Sequence, residues 1–134
     1  MNLSDYFENA EGLGILATAD SEGKVDLALY TIPHVFDDNT IGLVMRERLS
    51  HKNLQSNPNA AYMFLEQGQG YSGKRLYLTK MREEKNSSLI KSLKRQDPKV
   101  YPTGLDNSNK YLVYFRVDKI RPLIGDSEAI SQGV

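Results

Sequence analysis

The sequence has 134 residues, with 17 basic and 17 acidic side chains, so its formal net charge is zero. This balance argues against bulk nucleic-acid binding, which usually requires a clear positive excess. The absence of cysteine excludes disulfides, thiol redox chemistry and zinc-thiolate sites. An apolar fraction of 40% and a charged fraction of 25% are typical of a soluble globular protein. We expect one domain over residues 1–134.

The N-terminal stretch MNLSDYFENAEG predicts a short helix and gives no sign of a targeting segment. Ser4 is suited to cap the helix, and Leu3, Phe7 and Ala10 fall on one side of it. The stretch has no apolar core of signal-peptide length, and no run in the chain approaches the length of a transmembrane helix. We therefore expect a cytoplasmic protein.

Six strands are predicted from the apolar runs and turn signals of the remaining chain. They cover 14–19, 25–32 with a continuation through Val35 and Phe36, 41–45, 60–66, 75–83 and 110–117. The second strand shows apolar residues alternating at Val25, Leu27 and Leu29. Pro33 cannot donate to a ladder, so it predicts a sheet edge or a bulge within this strand.

Two further helices are predicted between the strands. HKNLQSN predicts a short helix that Ser50 caps and Pro58 stops. Residues 87–96, SSLIKSLKRQ, predict an amphipathic helix with Leu89, Ile90 and Leu93 facing inward, and 97–109 are predicted as loop. Sequential strands joined by tight turns predict a mainly β fold, an antiparallel barrel with helices packed outside it.

A basic cluster follows the strand IGLVM, where the second helix is predicted to begin. It consists of Arg46, Arg48, Ser50, His51 and Lys52. A helix N-terminus offers unpaired N–H groups and the positive end of the helix dipole, and together these favour an anion. The cluster therefore predicts a phosphate pocket. The alternative is that the charges are solvated and that Ser50 only caps the helix.

The other groups of polar residues give weaker indications of a functional site than the basic cluster does. His34 and His51 are seventeen positions apart with no carboxylates at ligand spacing, so no metal site is predicted. Ser50 and His51 are adjacent, which does not by itself give a nucleophile–base pair.

Residues 74–99 contain nine basic and three acidic side chains. With Tyr71 and Tyr77 as stacking platforms they could form a nucleic-acid face, or they could be the charged outer side of a helix.

The segments ILATADSEGKVDLALYTIPHVFDDNTIGLVMRERLSHKNLQSNPNAAYMFLE and GYSGKRLYLTK resemble the flavin-mononucleotide (FMN)-binding split barrels, the pyridoxamine 5'-phosphate oxidase-like family. The likeness spans residues 12–80. Its most specific part is a strand followed by Ser-basic-Lys, a helix ending in Asn-Pro and an apolar strand. The resemblance implies a six-stranded antiparallel split barrel that forms a homodimer, with two flavins in clefts at the subunit interface.

Carried over by position, the resemblance also implies site residues. The cofactor phosphate would contact Arg46, Ser50, His51 and Lys52, in agreement with the electrostatic interpretation of the cluster. The isoalloxazine ring would lie against the backbone of Tyr30, Thr31, Ile32 and Pro33, and Met45 would lie beside the ribityl chain. Tyr71 to Lys74 would approach the flavin from the other subunit.

The chain also departs from the true pyridoxamine phosphate oxidases. The true oxidases carry a tryptophan and arginines near the C-terminus that recognise flavin and substrate, whereas this chain has no tryptophan and its C-terminal IRPLIGDSEAISQGV does not match, so vitamin B6 oxidation is not expected. His51 stands where many relatives have arginine, which predicts pH-sensitive phosphate binding. The resemblance implies a flavin-dependent oxidoreductase of unknown substrate, with a non-catalytic flavin carrier or electron-transfer module as the alternative. FMN is the expected cofactor, and a deazaflavin or haem remains open.

Overall fold

The fold is described by a computed structural model, which covers residues 2–68, 70–93 and 109–125. These residues form a mainly β structure with short flanking helices, as predicted. The elements are α1 Leu3–Glu8, β1 Gly12–Ala19, β2 Val25–Tyr30, β3 His34–Asp37, β4 Thr40–Arg46, α2 Leu49–Ser56, β5 Asn59–Glu66, β6 Gly73–Lys85, α3 Leu89–Ser92 and β7 Lys110–Pro122. The predicted loop over 97–109 lies almost entirely outside the described residues.

The described strands form one antiparallel sheet that curls into a split barrel. Its strand order is β2-β1-β5-β6-β7-β4-β3, so β2 and β3 follow each other in the chain yet occupy opposite edges. Only Thr31, Ile32 and Pro33 join them. An extended chain covers at most about 3.6 Å per residue, so the two edges lie within roughly 14 Å of each other. Within the described residues, β2 and β3 do not pair, and the barrel stays open along this line.

The number of strands differs from the prediction for a physical reason. The sequence predicts one strand running from Val25 through Phe36, whereas the chain leaves β2 at Tyr30 and resumes as β3 at His34. The sheet edge predicted at Pro33 is confirmed, since β2 and β3 are the two edge strands, but the strand is not continuous and Pro33 lies in the segment that crosses from one edge to the other. The described residues therefore contain seven strands and not six.

The inner face of the sheet holds the main core. Its fully buried members include Leu16, Ile41, Leu43, Met45, Tyr62, Phe64, Leu76, Val113 and Phe115. Helix α1 closes one end of this core with Leu3 and Phe7, whose ring meets Phe64 edge-on at 5.4 Å. The helix begins two residues earlier than predicted, because Asn2 and not Ser4 accepts the capping hydrogen bond, from the Asp5 N–H.

Helix α2 follows β4 after a two-residue turn, and its start also differs from the prediction. Arg48 is the N-cap and has no side-chain capping bond, while Ser50 lies inside the first turn. The helix ends at Ser56, two residues before Pro58, as the sequence predicts. Ser50 is thus not used as a cap, and its hydroxyl is left for another partner.

Helix α3 covers a second, smaller cluster on the outer face of the sheet. Ile90 is buried against Val44, Leu112 and Tyr114, with Leu93 packed beside them. Leu89, predicted to face inward, is instead 45% exposed. Neighbouring positions of a helix differ by about 100° in direction, so Leu89 does not share the inward side of Ile90 in this four-residue helix, and residues 94–96 of the predicted helix lie outside the described residues.

A candidate anion site in the split of the barrel

The open line of the barrel contains a cleft of about 160 Å³ between β2 and the start of α2. Strand β2 contributes Asp26, Leu29 and Tyr30 to it. From the opposite side, the segment between β4 and α2 contributes Arg46, Arg48, Leu49 and Ser50. Two guanidiniums face one carboxylate, so the lining carries a net positive charge next to the N-terminus of an eight-residue helix. This combination favours an anion.

Side chains alternate in direction along the extended segment between β4 and α2, which explains why both arginines point into the cleft. Arg48 has extended backbone angles, with φ −130° and ψ −169°. Residues i and i+2 of an extended chain point to the same face, so Arg46 and Arg48 share the cleft and Glu47 between them faces away. The resemblance did not assign a role to Arg48, although this alternation is readable in the sequence RERLS.

Tyr30 and Ser50 meet across the cleft. Burial raises the pKa of the Tyr30 phenol, and the hydrogen bond with Ser50 and the charge of Arg48 offset part of this effect. The phenol therefore stays neutral near pH 7 and can donate a hydrogen bond. Ser50 is only 4% exposed, so its hydroxyl is fixed toward the cleft.

The crossover segment from Thr31 to Pro33 is held from inside the barrel. The buried Tyr62 hydroxyl donates to the Thr31 carbonyl oxygen over 2.9 Å. Gly14 makes room for this bond, because a Cβ at that position would collide with the Tyr62 hydroxyl and crowd the Tyr30 carbonyl. Thr31 Oγ1 is buried and has no hydrogen-bond partner among the described residues. A buried polar group without a partner is costly, and this one lies where the resemblance places the flavin ring.

Not every predicted site residue reaches this cleft. Of the predicted phosphate ligands, Arg46 and Ser50 line it and His51 and Lys52 do not. Two positions along an α-helix correspond to a rotation of about 200°, so the exposed Lys52 leaves α2 on the side opposite Ser50. His51 turns toward the sheet, and Met45 is fully buried in the main core. Ile32 is half-buried and Pro33 is buried beside Thr31.

The outer face of β2 and its neighbours is unexpectedly apolar. Val25, Leu27 and Leu29, the alternating residues of the predicted strand, are 82%, 70% and 54% exposed. The apolar surface continues across the neighbouring strands, since Leu29 pairs with Ile15 on β1 and Ile15 pairs with Met63 on β5. A shallow hollow on this face, near Leu27, is lined by Ile15, Ala17, Ala61, Met63 and Tyr77. We call the surface formed by Val25, Leu27, Leu29, Ile15 and Met63 the apolar face.

The apolar face borders the anion cleft directly, because Leu29 belongs to both. Contiguous exposed apolar surface of this kind marks a site of association in many proteins. The sequence could not indicate it, because period-two alternation is the same whether the apolar side of a strand faces the core or the solvent.

The basic segment 74–99 is described only as far as residue 93. Within it, Lys80 Nζ lies 2.7 Å from Glu83 Oε1, and Arg82 Nη1 lies 2.7 Å from Glu84 Oε2. The Arg82 guanidinium also packs over the ring of Tyr114 at 3.8 Å. These pairings favour a charged outer surface over a nucleic-acid face.

Within residues 2–68, 70–93 and 109–125, no helix is long and apolar enough to cross a membrane. In the same ranges, no group of three or more histidine and carboxylate side chains could hold a metal ion.

The protein is a split β-barrel with a candidate anion site. Its sheet is open, the chain crosses from one sheet edge to the other, and the cationic cleft lies in the gap.

Solved structures share this fold at low sequence identity. An FMN-binding protein from Syntrophomonas wolfei is 18% identical, with a TM-score of 0.69, and the match covers 90% of this chain and 83% of that one. HupZ from Group A Streptococcus is 17% identical, with a TM-score of 0.66 and 96% of both chains covered.

A third similar structure is a Clostridium acetobutylicum protein related to general stress protein 26, of the pyridoxinephosphate oxidase family. It is 15% identical, with a TM-score of 0.62, and the match covers 93% of this chain and 88% of that one. No protein-family model matches the sequence, and no curated protein is significantly similar to it. At these identities the comparisons establish the fold, and they confirm the split barrel that the sequence resemblance predicts.

Proposed function

We propose that this chain binds FMN in the split of the barrel and acts as a flavin-dependent oxidoreductase. The observation that supports the proposal most is the convergence of Arg46, Arg48 and Ser50 at the start of α2. Guanidinium groups match phosphate oxygens in geometry and charge, and charge-assisted hydrogen bonds of this type are among the strongest in proteins. The phosphate of FMN would bind there.

The ring of the flavin would extend along the crossover segment. Thr31 Oγ1 is available to hydrogen-bond a polar ring edge, since it has no partner among the described residues. Tyr62 holds the Thr31 carbonyl, and with it the backbone of the crossover segment, in place from inside the barrel. These features fit FMN better than a ligand without polar ring atoms.

The site would be completed by a second copy of the chain. Ligand pockets usually enclose 300–1,000 Å³, whereas the cleft in one chain encloses about 160 Å³, enough for the phosphate end alone. The apolar face begins at Leu29, on the rim of the cleft. A homodimer that covers this face would bring the partner chain beside the cleft and bury the three exposed side chains of β2.

When bound, the flavin would supply hydride or electron transfer. The chain would bind and orient it. Arg46 and Arg48 would hold its phosphate, Thr31 would position its ring, and the neutral Tyr30 phenol would donate a hydrogen bond at the cleft. A flavin electron carrier would use the same site, and only turnover separates it from an enzyme.

The proposal is tested on freshly purified protein by its absorption spectrum and by mass spectrometry of the released chromophore. We expect a yellow protein that releases FMN and sediments as a dimer. Steady turnover with reduced nicotinamide and an artificial acceptor would identify an enzyme, and reduction without turnover would identify a carrier. Release of a deazaflavin or haem, or a colourless protein that does not bind added FMN, would contradict the FMN assignment.

A further inference from the structure

The segment that carries the two cleft arginines leaves the sheet just before α2 begins. Arg46 is the last residue of β4, and it pairs with Lys110, the first residue of β7. The Arg48 N–H then donates to the Arg46 carbonyl over 2.9 Å, which closes a tight three-residue turn around Glu47. Arg48 is the N-cap of α2 and has no side-chain capping bond. The direction of its side chain therefore depends on how this turn is held.

Tyr111, the neighbour of Lys110 on β7, holds the turn on the side away from the cleft. Its hydroxyl donates to Oε1 of Glu47, the central residue of the turn, over 3.1 Å. Its ring stacks on His51 in the first turn of α2, with 3.8 Å between centroids and an angle of 22°. Tyr111 thus contacts the chain both before and after Arg48.

Tyr111 can restrain the turn because it is itself fixed. It is 6% exposed, belongs to the main core and pairs with Met45 between β4 and β7. Burial raises the pKa of the Tyr111 phenol, and the hydrogen bond to Glu47 raises it further, so the hydroxyl stays protonated near pH 7 and donates. Glu47 is exposed, and an exposed glutamate loses rotamer freedom only where a contact holds it.

We propose that Tyr111 is a positioning residue for the anion cleft, because its hydrogen bond to Glu47 fixes the turn with Arg46 and Arg48 directed at the bound phosphate. The side chain of residue 47 points away from those of residues 46 and 48. Holding Glu47 against β7 therefore directs both guanidiniums into the cleft. The inference rests on the proposed function for the identity of the anion, the phosphate of FMN.

The charge of Glu47 provides a test of opposite signs. A carboxylate beside the two arginines repels a phosphate, so its removal strengthens phosphate binding if Glu47 acts through its charge alone. Its removal weakens phosphate binding if Glu47 acts through its bond to Tyr111. Glutamine separates the two effects, because it loses the charge but keeps a side-chain oxygen that accepts from the phenol.

The test compares the affinities for FMN and for riboflavin, measured by quenching of flavin fluorescence in about 0.15 M salt, which screens the exposed charge of Glu47. The ratio of the two affinities reports the phosphate alone. We expect Tyr111→Phe and Glu47→Ala each to lower the preference for FMN by about threefold to tenfold, as for the loss of one hydrogen bond. Glu47→Gln should keep at least the wild-type preference. The double variant should lose no more than either single variant, because both remove the same contact.

Tyr114→Phe is the matched control. Tyr114 lies on the same strand, is also 6% exposed and also donates to a glutamate, Glu84, over 3.3 Å. It belongs to the smaller cluster on the outer face of the sheet, so its variant should keep the wild-type preference for FMN. Thermal melting without ligand shows whether the variants fold. Because Glu47 is exposed, Glu47→Ala keeps the test decisive if Tyr111→Phe does not fold.

Two kinds of failure are distinguishable. The inference would be overturned, and the proposed function left intact, if wild type prefers FMN and Tyr111→Phe prefers it equally. A tighter binding of FMN by Glu47→Ala, or an equal loss in Tyr114→Phe, would overturn the inference in the same way. A wild-type protein that binds no FMN would overturn the proposed function, and this inference with it.

Discussion

Replacement of Arg48 by glutamate is expected to lower FMN affinity by at least about 100-fold. The substitution removes charge-assisted hydrogen bonds to the phosphate, worth about 1.5–3 kcal/mol each, and places a like charge in the cleft. A loss of about 3 kcal/mol corresponds to a factor of 100 or more. Fluorescence titration measures it directly. Arg48 is exposed and lies in a turn, so the fold should persist.

Lys52→Glu is the matched control for this experiment. It makes the same change of charge four residues away, on the side of α2 that faces solvent, where screening by salt weakens its effect on the cleft. We expect FMN affinity to fall by less than about tenfold. An equal loss in both variants would show that the phosphate responds to the general charge of the region and is not bound at the cleft.

Replacement of Leu27 by glutamate is expected to convert the proposed homodimer to a monomer and to weaken FMN binding with it. In a single chain Leu27 is 70% exposed, so glutamate is tolerated by the fold. At a buried interface an unpaired carboxylate costs several kcal/mol. Analytical ultracentrifugation at micromolar concentration reports the assembly, and circular dichroism reports the fold.

Leu89→Glu serves as the control for assembly. Leu89 is an exposed leucine of α3, 45% accessible and away from the apolar face, and its substitution should leave the proposed homodimer intact. A Leu27→Glu protein that remains dimeric and binds FMN normally would show that the apolar face is not the interface that completes the site.

Most of the fold could be predicted because its strands are apolar segments bounded by turn signals. The strands at 41–45 and 60–66 match β4 and β5 within one residue at each end. Gly23, in the turn before β2, adopts a positive φ of 83°, which glycine takes without strain. The division of β2 from β3 could not be predicted in the same way, since it depends on how the sheet curls to bring its two edges within reach of the Thr31–Pro33 segment. This curl is a property of the whole sheet.

The location of the candidate site could be predicted from the sequence, but the directions in which its side chains point could not. The run from Arg46 to Lys52 does lie beside a cleft at the start of a helix, as its charge indicates. Which side chains enter the cleft depends on where the extended turn becomes helical. Because α2 begins at Leu49, Ser50 faces the cleft, His51 faces Glu83 and Lys52 faces solvent. A shift of one residue in the helix start would change this assignment.

The measurement that tests the central claim most directly compares the affinity of the wild-type protein for FMN and for riboflavin. The two ligands share the ring and the ribityl chain and differ in the phosphate. If the phosphate binds between Arg46, Arg48 and Ser50, FMN should bind at least about 100-fold more tightly than riboflavin. Equal affinities would show that the phosphate is not held in the cleft and would contradict the account.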